Sequence, residues 1–251
     1  MSLAACAALV ARGDPDRFLA TMAAPPGLRA ALFPLYAFNL EVARAPQVTH
    51  EPLIAEMRLQ WWRDALDEIA AGRPVRRHEV TVPLAEALDP HGARLLDDLV
   101  EARRLDIAAE PFADAAALTD YLDRTAGTLL WVAARATGAA AGEVEIRAVG
   151  GAQGLANWFL AVPALAAAGR EPLPDAGDEA VANLAAAALD RLAAARPPAT
   201  ARPALLAAWR ARPLLAQAAR HPGRVRAGAL AQSEFARRGG LLLRSAGLGR
   251  G

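Results

Sequence analysis

The chain has 251 residues, 54% of them hydrophobic and 22% charged, so it can bury a sizeable core and is not a disordered chain. A net charge of +1 argues against a whole-surface nucleic-acid binder, and a single cysteine, Cys6, excludes an internal disulfide. Charge is uneven along the chain, however: from Arg196 onward eleven arginines face one acid, Glu234, which suits an anionic membrane surface, an acidic partner, or a solvated helical face in an arginine-biased composition.

The opening MSLAACAALVARGD lacks a basic start and does not read as a secretory signal, which points to a cytoplasmic protein. Strand signals are scarce, with no Asn-Gly or Asp-Gly hairpin, while Ala, Leu, Arg and Glu fill long segments. The chain therefore reads as all-α and single-domain, with its core over about 14–244 and mobile ends at 1–13 and 245–251. Asp14-Pro15-Asp16-Arg17 starts a helix, with proline in the first turn and acids near the N-terminus. Pro25-Pro26-Gly27 ends it. A helix over 28–45 is apolar around most of its circumference and so belongs inside, with Pro34 expected to kink it or delay its start. Glu51-Pro52 opens a helix over 53–71, with Trp61, Leu66 and Ile69 able to face inward. A turn at 72–74 leads to helices over 81–88 and 95–105, and 112–117 reads as a loop.

A long helix is expected over 119–138, with Thr119 as N-cap and with Ala126, Gly127 and Thr128 allowing close backbone or ligand approach. The next is a long apolar helix from the paired glycines Gly150-Gly151 towards Pro174. No charge lies between Arg147 and Arg170. Its uncharged length approaches that of a bilayer span, but Gln153, Asn157, Pro163 and many alanines favour a core helix surrounded by other helices. Helices over 180–195, 205–220 and 224–244 complete the chain, broken by the Pro-rich 196–203.

Local chemistry is sparse. There is no nucleophile elbow, P-loop, dinucleotide fingerprint or Cys/His zinc spacing. His50, His78, His91 and His221 fall mostly in predicted loops. Asp97-Asp98-Leu99-Val100-Glu101 mimics an aspartate-rich motif but sits on a predicted surface helix. Asp64, Asp67 and Glu68, beside Trp61-Trp62-Arg63, are expected to make helix-surface ion pairs.

Three segments, RAALFPLYAFN (29–39), YLDRTAGTLL (121–130) and GAQGLANWFLAVPALAAAGREPLP (151–174), are similar in order and separation to motifs of the squalene/phytoene synthase family. The resemblance covers roughly Asp14 to Arg244. It implies an isoprenoid-synthase-type bundle around a central apolar cavity. In that family two aspartate-rich motifs hold magnesium ions, which take hard oxygen ligands and stabilise the departing diphosphate of prenyl substrates. Here the aspartate positions fall on Ala43, Arg44 and Gln47 in the first motif, and on Ala161 and Leu165 in the second. Glu41 is the one acid left in the first segment. Ala, Arg, Gln and Leu do not replace a magnesium cage, so no catalytic residue, metal ligand or cofactor is expected.

The resemblance leaves Arg29, Tyr36, Phe38, Asn39, Glu41, Tyr121, Ala126, Gly127, Gln153, Asn157 and Arg170 as cavity or ligand-binding candidates. Tyr36-Ala37-Phe38-Asn39-Leu40-Glu41, then His50-Glu51-Pro52, then RLQWWRDAL (58–66), resemble a divergent bacterial branch of the family. The mitochondrial relative of that branch is an assembly factor for respiratory complex I. Three readings follow. The favoured one is a pseudoenzyme, peripheral at the inner membrane, that supports a membrane complex such as NADH–quinone oxidoreductase. The second is an active magnesium-dependent prenyl transferase making squalene or phytoene from farnesyl or geranylgeranyl diphosphate. The third is a non-catalytic carrier of an isoprenoid or quinone-like ligand.

Overall fold

The computed structural model describes residues 2–47 and 51–247, and these contain helices and no strand. Of the positions discussed above, residue 1, His50 and residues 248–251 of the expected mobile ends lie outside the described residues. Helix α1 (Leu3–Gly13) presents Cys6, Leu9 and Val10 at helical spacing and buries them against α3 (Arg29–Arg44). The core therefore begins at Leu3 and not near residue 14, because that short apolar run is amphipathic. Helix α2 (Pro15–Ala23) starts as expected: Asp14 accepts the Arg17 backbone N–H at 2.9 Å. Helix α3 is buried continuously from Leu32 to Leu40 and continues through Pro34, which forgoes the ladder bond to the Ala30 carbonyl.

In α4 (Pro52–Ala70) Trp62, and not Trp61, enters the core, edge-on to Phe38 at 5.3 Å. Trp61 is half-buried, with the Arg76 guanidinium 5.1 Å from its ring centre. After α5 (Thr81–Ala87), α6 (Pro90–Ala102) begins earlier than the sequence suggested, because Asp89 caps it by accepting the Gly92 N–H at 2.6 Å. That places His91 on a helix and not in a loop. The short α7 (Leu105–Ala108) follows. Helix α8 (Ala115–Leu122) also begins early: Asp114 accepts from Ala117 N–H at 2.8 Å, so Asp114 and not Thr119 is the cap. A π-helical turn, Asp123–Gly127, joins α8 to α9 (Thr128–Ala136).

The long apolar helix, α10 (Glu143–Ala167), starts after Gly142 (φ 88°), not at the paired glycines. Those glycines are interior because α10 crosses the π turn at close range. A Cβ on Gly150 would lie 2.7 Å from the Ala126 carbonyl oxygen, and one on Gly154 would lie 2.6 Å from the Ala126 Cβ. Gly169 (φ 79°) ends the helix, and the Arg170 N–H returns to the Leu165 carbonyl at 3.1 Å.

Helices α11 (Asp178–Ala194), α12 (Arg202–Leu205) and α13 (Ala211–Arg220) follow. The single helix expected over 224–244 is instead two, α14 (Gly223–Arg226) and α15 (Glu234–Ser245), separated at Gly228 (φ 62°). One core cluster lies beneath α1–α6 and α9, and a second beneath α8, α10, α11 and α13. Among the described residues no helix is long and apolar enough to cross a membrane.

Candidate functional site

Helices α2, α3, α8 and α10 and the π turn enclose a cavity of about 210 Å³. Ala43 and Gln47 line it from the end of α3, and Ala161 and Leu165 line it from α10. Ala161 and Leu165 are spaced i, i+4 on one face of α10, whereas Gln47 reaches the cavity from the turn that follows Arg44, whose carbonyl accepts the Gln47 N–H at 2.8 Å. The positions assigned to the family's aspartates thus converge on one space, Arg44 excepted. Arg44 sits one residue round from Ala43 and turns towards α1, where its Nη2 lies 2.8 Å from the place a Cβ on Gly13 would take.

The cavity lining is mixed, not purely apolar. Arg17, Arg103, Asp106 and Arg170 all contribute. The Arg17 side chain pairs with Asp14 at 2.9 Å and lies 5.4 Å from the Tyr36 ring centre. Tyr36 is buried, and burial pushes its hydroxyl up to about 12 despite the opposing Arg17 charge. Across the space, the Tyr121 hydroxyl accepts from Arg103 at 2.7 Å and donates to Asp106 at 2.8 Å, while Arg103 meets Asp106 at 3.2 Å. Burial raises the Tyr121 pKa. Burial alone would lower that of Arg103, but Tyr121 and Asp106 outweigh it and hold the guanidinium above its usual range. Phe112, Tyr121 and Trp158 pack ring against ring at 5.3–5.8 Å, and Trp158 donates to the Pro172 carbonyl at 2.7 Å.

Magnesium, the metal this kind of bundle implies, does not fit this lining. The lining offers one carboxylate, Asp106, already engaged by Arg103 and Tyr121. Among the described residues no group of three or more His, Cys, Asp or Glu side chains is close enough to hold a metal ion.

Of the sequence-derived candidates, Asn39, Tyr121, Ala126, Asn157 and Arg170 line this cavity. The others sit elsewhere. Arg29 donates to the Met22 carbonyl at 2.7 Å and secures the end of α2. Phe38 packs on Trp62, because it falls on the core side of α3. Glu41 opens into a separate hollow with Met57, Trp61 and His78. Gly127 meets the α10 backbone, a Cβ there falling 3.3 Å from the Arg147 carbonyl. Gln153 is buried within α10.

Arg17, Arg103, Asp106 and Trp158 are residues that sequence reasoning missed. Only the i, i+3 spacing of Arg103 and Asp106 hinted at a pair. Asp97 and Glu101 are bridged by Arg63 at 2.7 and 2.6 Å, and Asp67 and Glu68 pair with Arg73 and Arg76, so both surface clusters are ion-pair networks. A larger open groove of about 1130 Å³ lies between α8, α10 and α11. Leu122, Leu155 and Leu184 form its floor, and Asp114, Arg147 and Arg191 lie on its rim.

Comparisons with known proteins agree with this architecture. The family model described as squalene/phytoene synthase matches residues 10–247. A Drosophila melanogaster protein named NADH dehydrogenase (ubiquinone) complex I, assembly factor 6 homolog is 33% identical over 178 residues, covering 67% of this chain and 52% of the relative. The Homo sapiens protein named NADH dehydrogenase (ubiquinone) complex I, assembly factor 6 is 26% identical over 162 residues, covering 63% of this chain and 48% of the relative. The chain thus spans about half the length of these relatives. A crystal structure of a dehydrosqualene synthase in complex with ligand superposes with a TM-score of 0.78, covering 98% of this chain and 96% of that one at 16% identity, which speaks for the fold alone.

Proposed function

The chain belongs to the squalene/phytoene synthase family, and within it we propose a non-enzymatic member that supports assembly of a membrane NADH–quinone oxidoreductase. One observation carries this reading. Ala43 on α3, Gln47 in the turn after it, and Ala161 and Leu165 on α10 face a common cavity where the metal cage would sit, and none is a carboxylate. A prenyl diphosphate would there lack the divalent charge that stabilises its departing group. The acids that might have substituted do not reach the cavity: Glu41 opens elsewhere, and Asp67 and Glu68 are paired with arginines on α4's outer side. The names of the relatives supply the partner class.

Deleting the gene tests the role: NADH–quinone activity and complex levels in membranes are expected to fall, and unchanged values would overturn it. Incubation with magnesium and farnesyl or geranylgeranyl diphosphate tests the loss of chemistry. No pyrophosphate is expected, and its release would restore the transferase reading.

A second reading, a carrier of an isoprenoid or quinone-like ligand, is favoured by the groove between α8, α10 and α11. Its volume and leucine floor suit an apolar ligand better than does the smaller, arginine-lined cavity. Mass spectrometry of lipid extracted from the purified protein is expected to detect such a ligand, and a clean extract counts against the carrier.

A further inference from the structure

We propose that α15 is an interfacial helix that lies on an anionic lipid surface. This does not rest on the assembly role. At 100° per residue, Phe235, Gly239, Leu242, Leu243 and Ala246 fall on one side of α15. That side points outward: Phe235 is 90% exposed, Leu242 68% and Leu243 54%. Single exposed leucines are ordinary, but three large apolar side chains on one helical face are an amphipathic signature.

The polar side faces the protein. Arg237 meets Asp16 at 3.1 Å, and the same carboxylate accepts Arg210. Of the three leucines only Leu241 is buried. The helix is thus docked against α2 and the 206–208 turn through buried Leu241 and the Arg237–Asp16 pair, with the face carrying Phe235, Leu242 and Leu243 left outside.

Charge at the edges of that face selects the occupant. Arg238 flanks it with 75% of its side chain exposed. Arg202 stands at the C-terminal end, where its Nη2 lies 2.5 Å from the place a Cβ on Gly247 would take. Arg244 lies on the opposite, protein-facing side, where burial first and then the nearby Arg212 charge disfavour its cation. Among the described residues, Asp16 pairs with Arg210 and Arg237 here, and Glu234 with Arg237 and Arg238. A positive rim around an apolar face fits phosphate headgroups over acyl chains. At 12 residues, about 18 Å, the helix suits lying in the interface and is too short to span it.

Flotation of the full chain with vesicles tests this. The vesicles are phosphatidylcholine alone, or phosphatidylcholine with phosphatidylglycerol. Binding is expected to the anionic vesicles only, and to weaken with salt. The triple variant F235S/L242S/L243S is expected to lose roughly ten-fold or more of that partitioning, with an unchanged melting transition. R238E is expected to weaken binding to the anionic vesicles. Three results would each overturn the proposal. One is a folded wild-type chain that stays with the unbound fraction. Another is undiminished flotation of the triple variant. The third is a wild-type oligomer in light scattering that the triple variant dissolves without any change in flotation, which would make the face a contact between copies of this chain.

Discussion

Helices α10 and α15 are both rich in apolar residues, yet they use them in opposite ways. Helix α10 has no charge between Arg147 and Arg170, so packing orients that stretch, and its ion pair to a neighbouring element, Arg147 with Asp123 at 2.8 Å, lies near its start. Gly150 and Gly154 let it approach the π turn so closely that a single Cβ would collide. Helix α15 is held by an ion pair beside one buried leucine: Asp16 takes Arg237, Leu241 enters the core, and the rest of the apolar face stays outside. Apolar content thus does not decide which face of a helix is buried. Steric fit decides it where charge is absent, and a fixed charge partner decides it where one is present.

The sharpest way to break this contrast is at the α10 crossing. Gly150→Val is expected to cost more than about 3 kcal/mol, because the obstructing groups are the Ala126 carbonyl and the Gly127 Cα, which belong to backbone. Urea unfolding measures it. Gly151→Ala, one residue on with no atom within 4 Å, is the control and is expected to be neutral or to stabilise by up to about 1 kcal/mol.

Next in size is the charged wall of the cavity. Asp106→Ala leaves Arg103 and the Tyr121 hydroxyl without their acceptor, in a site where the two charged side chains are 17% and 11% exposed. A loss of about 2–3 kcal/mol is expected in chemical denaturation. A small loss would mean that the pair is solvated and does not structure the cavity.

Alkaline pH probes the core beside Arg17, where Tyr36 is buried. The Tyr36 hydroxyl is raised from its usual 10.0 to about 12 in the folded chain. Its contribution is therefore complete below pH 10 and is lost as pH rises through about 12. The stability difference between wild type and Tyr36→Phe is expected to shift against wild type by about 2 kcal/mol over that interval, read from melting curves. A constant difference would place Tyr36 in contact with water. The smallest effect is expected on α15, where F235S/L242S should change stability by no more than about 0.5 kcal/mol because both side chains are already exposed. A larger loss would mean that the apolar face of α15 is covered in the folded chain.

Much of the architecture was legible from composition and local signals. Buried α3, the start of α2 at Asp14-Pro15 and the end of α10 at Gly169 follow from apolar spacing, an N-cap and a C-terminal glycine. Where legibility failed, a competing local signal had won. Asp89 and Asp114 cap earlier than the apolar pattern suggests, and Gly150-Gly151 looked like a boundary but is a crossing point. In the site, the i, i+4 spacing carried Ala161 with Leu165 to one face of α10, while the turn after Arg44 brought Gln47 to the same cavity as Ala43. The opposing Arg103–Asp106–Tyr121 wall could not be read, because Asp106 and Tyr121 meet across 15 residues of chain.

By itself the sequence determined a helical chain with family motifs in order, and it carries the proposal that the metal-binding positions hold no carboxylate. Those facts depend on residue type and short-range spacing, which are local. Only the tertiary structure decided which faces those helices present to one another. It put three arginines and one engaged aspartate in the cavity and turned the apolar face of α15 outward. Both outcomes depend on distant segments brought together, Arg17 and Arg170 around the same cavity as Arg103 and Asp106, and Asp16 against Arg237, which is a property of the packed chain.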